Sequence, residues 1–351
     1  MTNIEAAKLQ SQFLRGVEDI IPATTSLVSE LSDVLEISTD SAYRRMRGET
    51  LLTIDEITHL CEHFHISFDA FSKVKTGTVT FTFSPIESKA EHFAQYLDNL
   101  LKDLTLIASA KESSIVYACQ DIPVFHHYNY PELANFKIFY WMRTIMNLSD
   151  LNRVKYDGDF QFTELLEVGK KIYDTYSKIP SVEVWTESTI KSTLKQIGFY
   201  WESGVFDSKD VALRVCASLS KEIDDLQQMA EVSSKRTEEL AVSLESAGKQ
   251  EDIKDSENKN YKLYVSDIEL TNNCVLVNIG ATQAVHIGHF SFSTMSTKNE
   301  TYCKKTESWL NNIIKKSTLI SGVSEKQRFQ FFQNVNKGID DLMKRINEEP
   351  K

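Results

Sequence analysis

The stretch SLVSELSDVLEISTDSAYRRMRG, Ser26 to Gly48, sets the reading of the chain. Leu27, Leu31, Val34 and Leu35 stand at i, i+4, i+7 and i+8, the apolar stripe of an α-helix. The stripe breaks at Glu36-Ile37, and Ser38 is placed to cap a new helix. That second helix runs from Thr39 to Arg47. Gly48 suits the position just past its end, where a left-handed backbone is favoured. Ala42 is small where the second helix must pass close to the first. Two short helices joined by a tight turn are predicted, the second starting with small polar side chains.

The pattern extends on both sides. Ile4, Leu9, Phe13, Leu14 and Val17 predict an amphipathic helix over 4–20, ended by Ile21-Pro22. Thr53 and Glu56 have capping-box spacing. They open a helix whose expected apolar face is Ile54, Ile57, Leu60, Cys61 and Phe64. Ser67 caps a final turn containing Phe68 and Phe71. Residues 1–75 are therefore predicted to form a five-helix domain.

The texture changes at Thr76. Thr78 to Phe83 alternates as a strand does. Helices are predicted over 87–110, 161–178, 186–202, 209–247, 299–319 and 325–347. Strands are predicted at 114–118, 261–269, 273–279 and 283–294. Leu219, Ile223, Leu226 and Ala230 give a short heptad-like seam. Residues 245–260 are polar and predict a mobile loop. Residues 76–351 thus read as a larger, mainly helical region with a small, largely antiparallel sheet. The fold class is α+β, predominantly α-helical.

A helix-turn-helix needs two helices locked at a fixed angle, so that the second lies in the major groove. Ser26 to Phe71 fits that need over its whole length. Leu31, Val34, Leu35 and Ile37 pack the first helix and the turn, and Ser38, Ala42 and Gly48 build the second. Thr53 and Ile66-Ser67-Phe68-Asp69 frame the supporting helices. This region resembles the XRE family, the Cro and λ-repressor-like helix-turn-helix domains. The resemblance implies a DNA-binding transcriptional regulator whose partner is an operator in double-stranded DNA. It implies that Thr39, Asp40, Ser41 and Arg44 read bases, with Ser38 near phosphate. Arg44 can fork onto guanine, and Asp40 can accept from cytosine or orient Arg44. Arg45 and Arg47 are placed as phosphate contacts. Four positions depart from the family pattern: Val28 where Gln is usual, Ser32 where Ala is usual, Glu36 where Gly is usual, and Arg45 where a core aliphatic is common, leaving that space to Tyr43 or Met46.

Charge works against a strong DNA footprint. The chain of 351 residues has a formal net charge of −11. Residues 1–75 hold seven Lys or Arg against twelve Asp or Glu. A shallow salt dependence follows, with useful affinity expected from a homodimer on two half-sites about 10 bp apart or a multiple. The rival reading is a helix-turn-helix fold retained for protein contact, without DNA binding.

The remaining signals bound the function. The chain has five cysteines, none at CxxC spacing, which points to a reducing compartment. No leader pattern and no run of about 18 apolar residues occurs, so no membrane association is expected and a cytoplasmic location is. His59 and His63 lie at i, i+4 but lack completing ligands, so no metal is expected. His126 and His127 are adjacent and diverge if extended, which argues against a shared metal. Aromatics from Tyr128 to Trp141 and from Phe199 to Trp201 favour core over a ligand pocket. No catalytic motif and no cofactor motif is present, so no enzyme is proposed. A buried polar cluster in a pocket would favour an enzyme instead. The C-terminal region is expected to dimerise and to receive a small-molecule or protein effector.

Overall fold

The computed structural model describes residues 3–18, 21, 25–64, 66–68, 77–83, 87–159, 162–235, 259–289 and 293–348. Two compact units emerge, residues 1–81 and 82–351.

Unit 1 carries α1 (Asn3–Glu18), α2 (Leu27–Val34), α3 (Thr39–Met46) and α4 (Ile54–His63). Short polar side chains start three of them. Ser26 accepts from the Ser29 N–H at α2, and Ser38 from the Ser41 N–H at α3. At α4, Thr53 and Glu56 form both halves of a capping box. Phe13, Leu14, Val17, Leu27, Leu31, Ala42 and Leu60 form the buried core. Gln10 of α1 is buried among them. Its amide donates to the carbonyls of Arg45 (2.7 Å) and Thr50 (2.9 Å) and accepts from the Leu52 N–H (2.6 Å). Gly48 sits at φ +73, and a side chain there would crowd the Ala7 Cβ at 3.1 Å.

Two expectations for unit 1 change. Ile54 is 82% exposed rather than part of the apolar face, because the core stops one turn later, at Ile57. Apart from residues 66–68, the fifth helix expected after Ser67 lies outside the described residues.

Unit 2 is built on one sheet of eight strands, not a small one. In chain order they are β1 (Thr82–Phe83), β2 (Ser113–Ala118), β3 (Ser181–Trp185), β4 (Tyr261–Val265), β5 (Cys274–Ile279), β6 (Thr282–His289), β7 (Ser293–Thr297) and β8 (Thr318–Leu319). The spatial order is β1-β7-β6-β5-β2-β3-β4-β8. Strands β2, β3 and β4 run parallel, and the flanking pairs are antiparallel. The sheet is therefore mixed, with a parallel centre.

Eight helices of unit 2 are needed to place the site. They are α5 (Ala90–Ser109), α6 (Val124–His127), α7 (Pro131–Tyr140), α8 (Thr163–Tyr176), α9 (Lys191–Glu202), α10 (Lys209–Val232), α11 (Glu300–Lys315) and α12 (Glu325–Glu348), with α7 continuing as a π-helical turn over Trp141–Ile145. The helix expected over 186–202 starts only at Lys191, after β3. Helix α10 stops at Val232, where Ser233 turns left-handed at φ 58. Residues 245–258 of the expected mobile loop lie outside the described residues. On one face of the antiparallel half, α11 buries Cys303 and Leu310 against Ala118, Leu276 and Val285. The larger core gathers the aromatics. Phe136, Phe139, Tyr156, Tyr200 and Phe206 are all fully buried, with Phe136 stacked on Phe206 at 5.5 Å.

Candidate functional site

Helix α3 of unit 1 presents a charged surface. Ser38, Thr39, Asp40, Arg44 and Arg47 are exposed, and Ser41 is half-buried. Arg44 Nε lies 3.1 Å from Asp40 Oδ2, one turn back on the same helix. Arg47 Nε lies 2.8 Å from Glu49. Arg45 is different. Its guanidinium grips Glu56 at 2.6 Å, and both side chains are largely covered. It also donates to the Ser41 carbonyl at 3.2 Å. Burial tends to raise the Glu56 carboxyl, but Arg45 and the Thr53 N–H outweigh it and hold it below the ordinary range. Arg45 thus ties α3 to the start of α4. Glu36, in the turn before α3, sits at φ +52. His59 and His63 are exposed and Cys61 is half-buried. All five cysteines are free thiols.

Unit 2 contains a cavity of about 410 Å³ between α5 and the sheet. Its floor is a complete cross-strand row. Tyr117, Val275, His286, Ser296 and Thr82 are register neighbours on β2, β5, β6, β7 and β1, and all five line it. The roof is one face of α5, with Tyr96, Leu100, Asp103, Leu104 and Ile107 at helical spacing. The chain leaving β2 supplies Asp121, Phe125 and His127, α7 supplies Lys137, the turn after it Trp141, and α9 Gln196. Ligands of open α/β sheets bind at this kind of place, beyond the carboxyl end of a strand. The π-helical turn at Trp141 gives the same indication, since such turns gather at functional sites.

Two charged groups of the cavity, Lys137 and Asp121, form no ion pair among the described residues. Lys137 is 3% exposed. Its ammonium donates to Thr193 Oγ1 (2.7 Å) and Gln196 Oε1 (2.8 Å), which accounts for two of its three hydrogens. No carboxylate among the described residues forms an ion pair with it. Burial pulls its pKa down to about 8. Asp121 is anchored through its backbone, whose N–H donates to Asn273 Oδ1 at 3.2 Å. Its carboxylate accepts no hydrogen bond from the described residues, and Oδ1 is buried.

Behind the cavity, adjacent histidines of α6 reach two different buried glutamates. His126 Nε2 meets Glu183 of β3 at 2.8 Å. Glu183 also accepts from Tyr176 (2.7 Å), Trp185 (2.9 Å) and Tyr261 (3.1 Å). Burial alone would raise this carboxyl. His126, Tyr176 and Lys235 outweigh burial and hold it below the ordinary value, so it is a carboxylate. His127 Nδ1 meets Glu222 of α10 at 2.9 Å. Here burial wins. Glu222 is pushed up to about 8, and burial together with the Lys137 and His126 charges holds His127 well below its ordinary value. Both partners are then neutral near pH 7. The carboxyl donates to Nδ1, and Nε2 keeps the hydrogen.

The α3 residues expected from sequence lie together on one surface, Arg45 excepted. The polar residues of the cavity were not expected. His126 and His127 had been set aside, and their separate partners explain why they make no shared metal site. Among the described residues, no cluster of metal-ligating side chains occurs. No described helix is long and apolar enough to cross a membrane. Trp141 is the one aromatic of the expected set that lines the cavity, and the others stay in the core or, like Phe199, at the surface.

Fold and cavity define a chain of two kinds of unit, one small and helical, the other mixed α+β around a polar cavity. Comparisons with protein-family models, with curated proteins and with solved structures returned no match.

Proposed function

We propose that the chain is a DNA-binding regulator in which α3 reads an operator and unit 2 receives a small-molecule effector. The observation that carries the first half is the exposed row Thr39, Asp40 and Arg44 on a capped helix, four residues after α2. Arg44 is the base reader, Ser38 and Arg47 meet phosphate, and Arg45 serves the α3–α4 junction instead. Few phosphates are neutralised per copy, so a homodimer supplies the affinity. The 410 Å³ cavity supports the effector half.

The test is capture of genomic DNA by the full chain, with Arg44→Ala as control. An enriched two-half-site sequence that Arg44→Ala loses, at a cost of about 1–3 kcal/mol, supports the reading. Arg47→Ala should weaken all sequences alike. No enrichment even at low salt sinks the DNA reading and favours a protein-contact role for unit 1.

One observation favours a second reading, an enzyme. His127, backed by Glu222 and lining the cavity, has the orientation of a general acid or base. The described cavity lining includes Ser293 and Ser296 and no cysteine. Consumption of a bound ligand, followed by NMR, would establish it.

A further inference from the structure

Unpaired buried charges are costly, and a fold keeps them where something else completes them. Lys137 is such a group, and in the same cavity Asp121 is half-buried, with its Oδ1 covered and without a hydrogen bond. Both line one cavity, and the Asp121 charge acts to raise the Lys137 pKa. Yet they form no ion pair, so more than 4 Å separates their charged atoms. Lys137 has one ammonium hydrogen left for an anion, and Asp121 has a carboxylate left for a cation or donor.

Part of the wall around them is apolar. Phe125, Trp141, Leu100, Leu104, Ile115 and Val277 line the same space. That stretch of the lining takes a hydrophobic side chain. One ammonium beside the carboxylates of Glu87, Asp103 and Asp121 disfavours a phosphate chain, whereas Lys137 and Asp121 together match the two charges of an amino acid.

The geometry points to a small zwitterionic ligand of the amino-acid class with an apolar side chain, its carboxylate on Lys137 and its ammonium on Asp121. Neutral His127, with its hydrogen on Nε2, adds a donor toward the same space. The inference deepens the effector half of the reading above but does not require that unit 1 bind DNA.

Calorimetry and thermal melts on the full chain test it, with L-leucine, L-phenylalanine and L-tryptophan as probes. The analogues 3-phenylpropionate, which lacks the ammonium, and phenethylamine, which lacks the carboxylate, are the controls. At least one amino acid should bind and raise the melting temperature. Each analogue of L-phenylalanine should bind about tenfold more weakly or less, the loss of one charge-assisted contact. Lys137→Met should abolish the preference for L-phenylalanine over phenethylamine, and Asp121→Asn that over 3-phenylpropionate. No binding by any of the three amino acids at about 10 mM, enough to detect millimolar Kd, overturns the proposal. So does equal binding of L-phenylalanine and its two analogues. The analogue series needs only the unmodified chain, so a variant that fails to fold leaves the test intact. Ligand binding is read without DNA, so its failure and that of the operator reading are separate results.

Discussion

The two units handle charge in opposite ways. On α3, Asp40 and Arg44 pair across one helical turn in water, with side chains 72% and 58% exposed. In unit 2, His126 pairs with Glu183 over 57 positions and His127 with Glu222 over 95, all four buried. A solvated pair is weak because water competes for both ions. A buried pair cannot lose a partner without leaving a charge or donor stranded. Charge on α3 is therefore free to serve a partner, whereas charge behind the cavity is committed to the fold.

Glu183 should show the largest effect. Its carboxylate serves four donors at once. Glu183→Ala should cost about 3–5 kcal/mol, the range for removing one partner of a buried ion pair. Urea unfolding followed by tryptophan fluorescence would measure it. A loss no greater than that of an exposed pair would erase the contrast between the units.

Glu222 sharpens the contrast within unit 2. It is buried like Glu183 but held protonated, so Glu222→Gln keeps an uncharged hydrogen-bonding side chain at neutral pH. The sign in pH follows from the raised carboxyl. Its contribution to stability is fully present below pH 4.5 and is lost as pH rises through about 8. The lowered His127 contributes the opposite way, and its effect is fully present above pH 6.5. The two compensate below that value. Stability of the parent should then fall between pH 6.5 and 8 by about 1.4 kcal/mol per unit for one proton. Glu222→Gln should flatten that decline. Parallel pH profiles for parent and variant would show that Glu222 is ionised and that both histidine pairs are alike.

The same contrast explains what could be read from the sequence. Caps and turns are local, so Ser38, Thr53, Glu56 and Gly48 announced α3, α4 and their ends. The α5 roof announced itself by helical period. Strand β3 did not, because Glu183 interrupts its apolar run, and only a partner 57 residues earlier makes a buried glutamate acceptable. Strand β8 has two residues, too few to show a period. That is why the sheet looked small. The cavity was hidden for the same reason. Asp121, Lys137 and Gln196 converge only after β2, α7 and α9 are packed, and no spacing in the chain encodes that. Arg45 had been expected at phosphate, but its neighbour Glu56 was read only as a cap. One carboxylate does both tasks.

Glu36 offers a smaller effect, in the opposite direction. It holds φ +52 in the turn before α3, a backbone that costs a residue with a side chain about 1–2 kcal/mol relative to ordinary conformations. Glycine adopts it freely. Glu36→Gly should therefore raise the stability of unit 1 by about 1 kcal/mol, after the added flexibility of the unfolded chain is set against the relief. A thermal melt of the full chain, followed at a probe in unit 1, checks it. A fall in stability would mean that the Glu36 side chain does something useful in the turn, and that local geometry is a poorer guide to unit 1 than the caps suggest.

Asp40→Ala should give the smallest change in stability and the clearest separation of the two readings of unit 1. The pair with Arg44 has the favourable order, acid before base at i, i+4, and Asp40 also lies in the first turn of α3, where the helix dipole favours an acid. Exposure keeps both terms small, so the expected loss is about 0.5 kcal/mol and shrinks with added salt. On DNA the sign reverses. The variant removes a negative charge from the surface that would face phosphates, and it releases Arg44 from its intrahelical partner. Affinity for random DNA at low salt should rise while stability falls slightly, which fluorescence anisotropy and a melt would show side by side. If unit 1 instead serves only protein contact, the small loss of stability remains and the gain on DNA does not occur. Removing one exposed carboxylate thus separates a surface that holds its fold from one that also faces a polyanion.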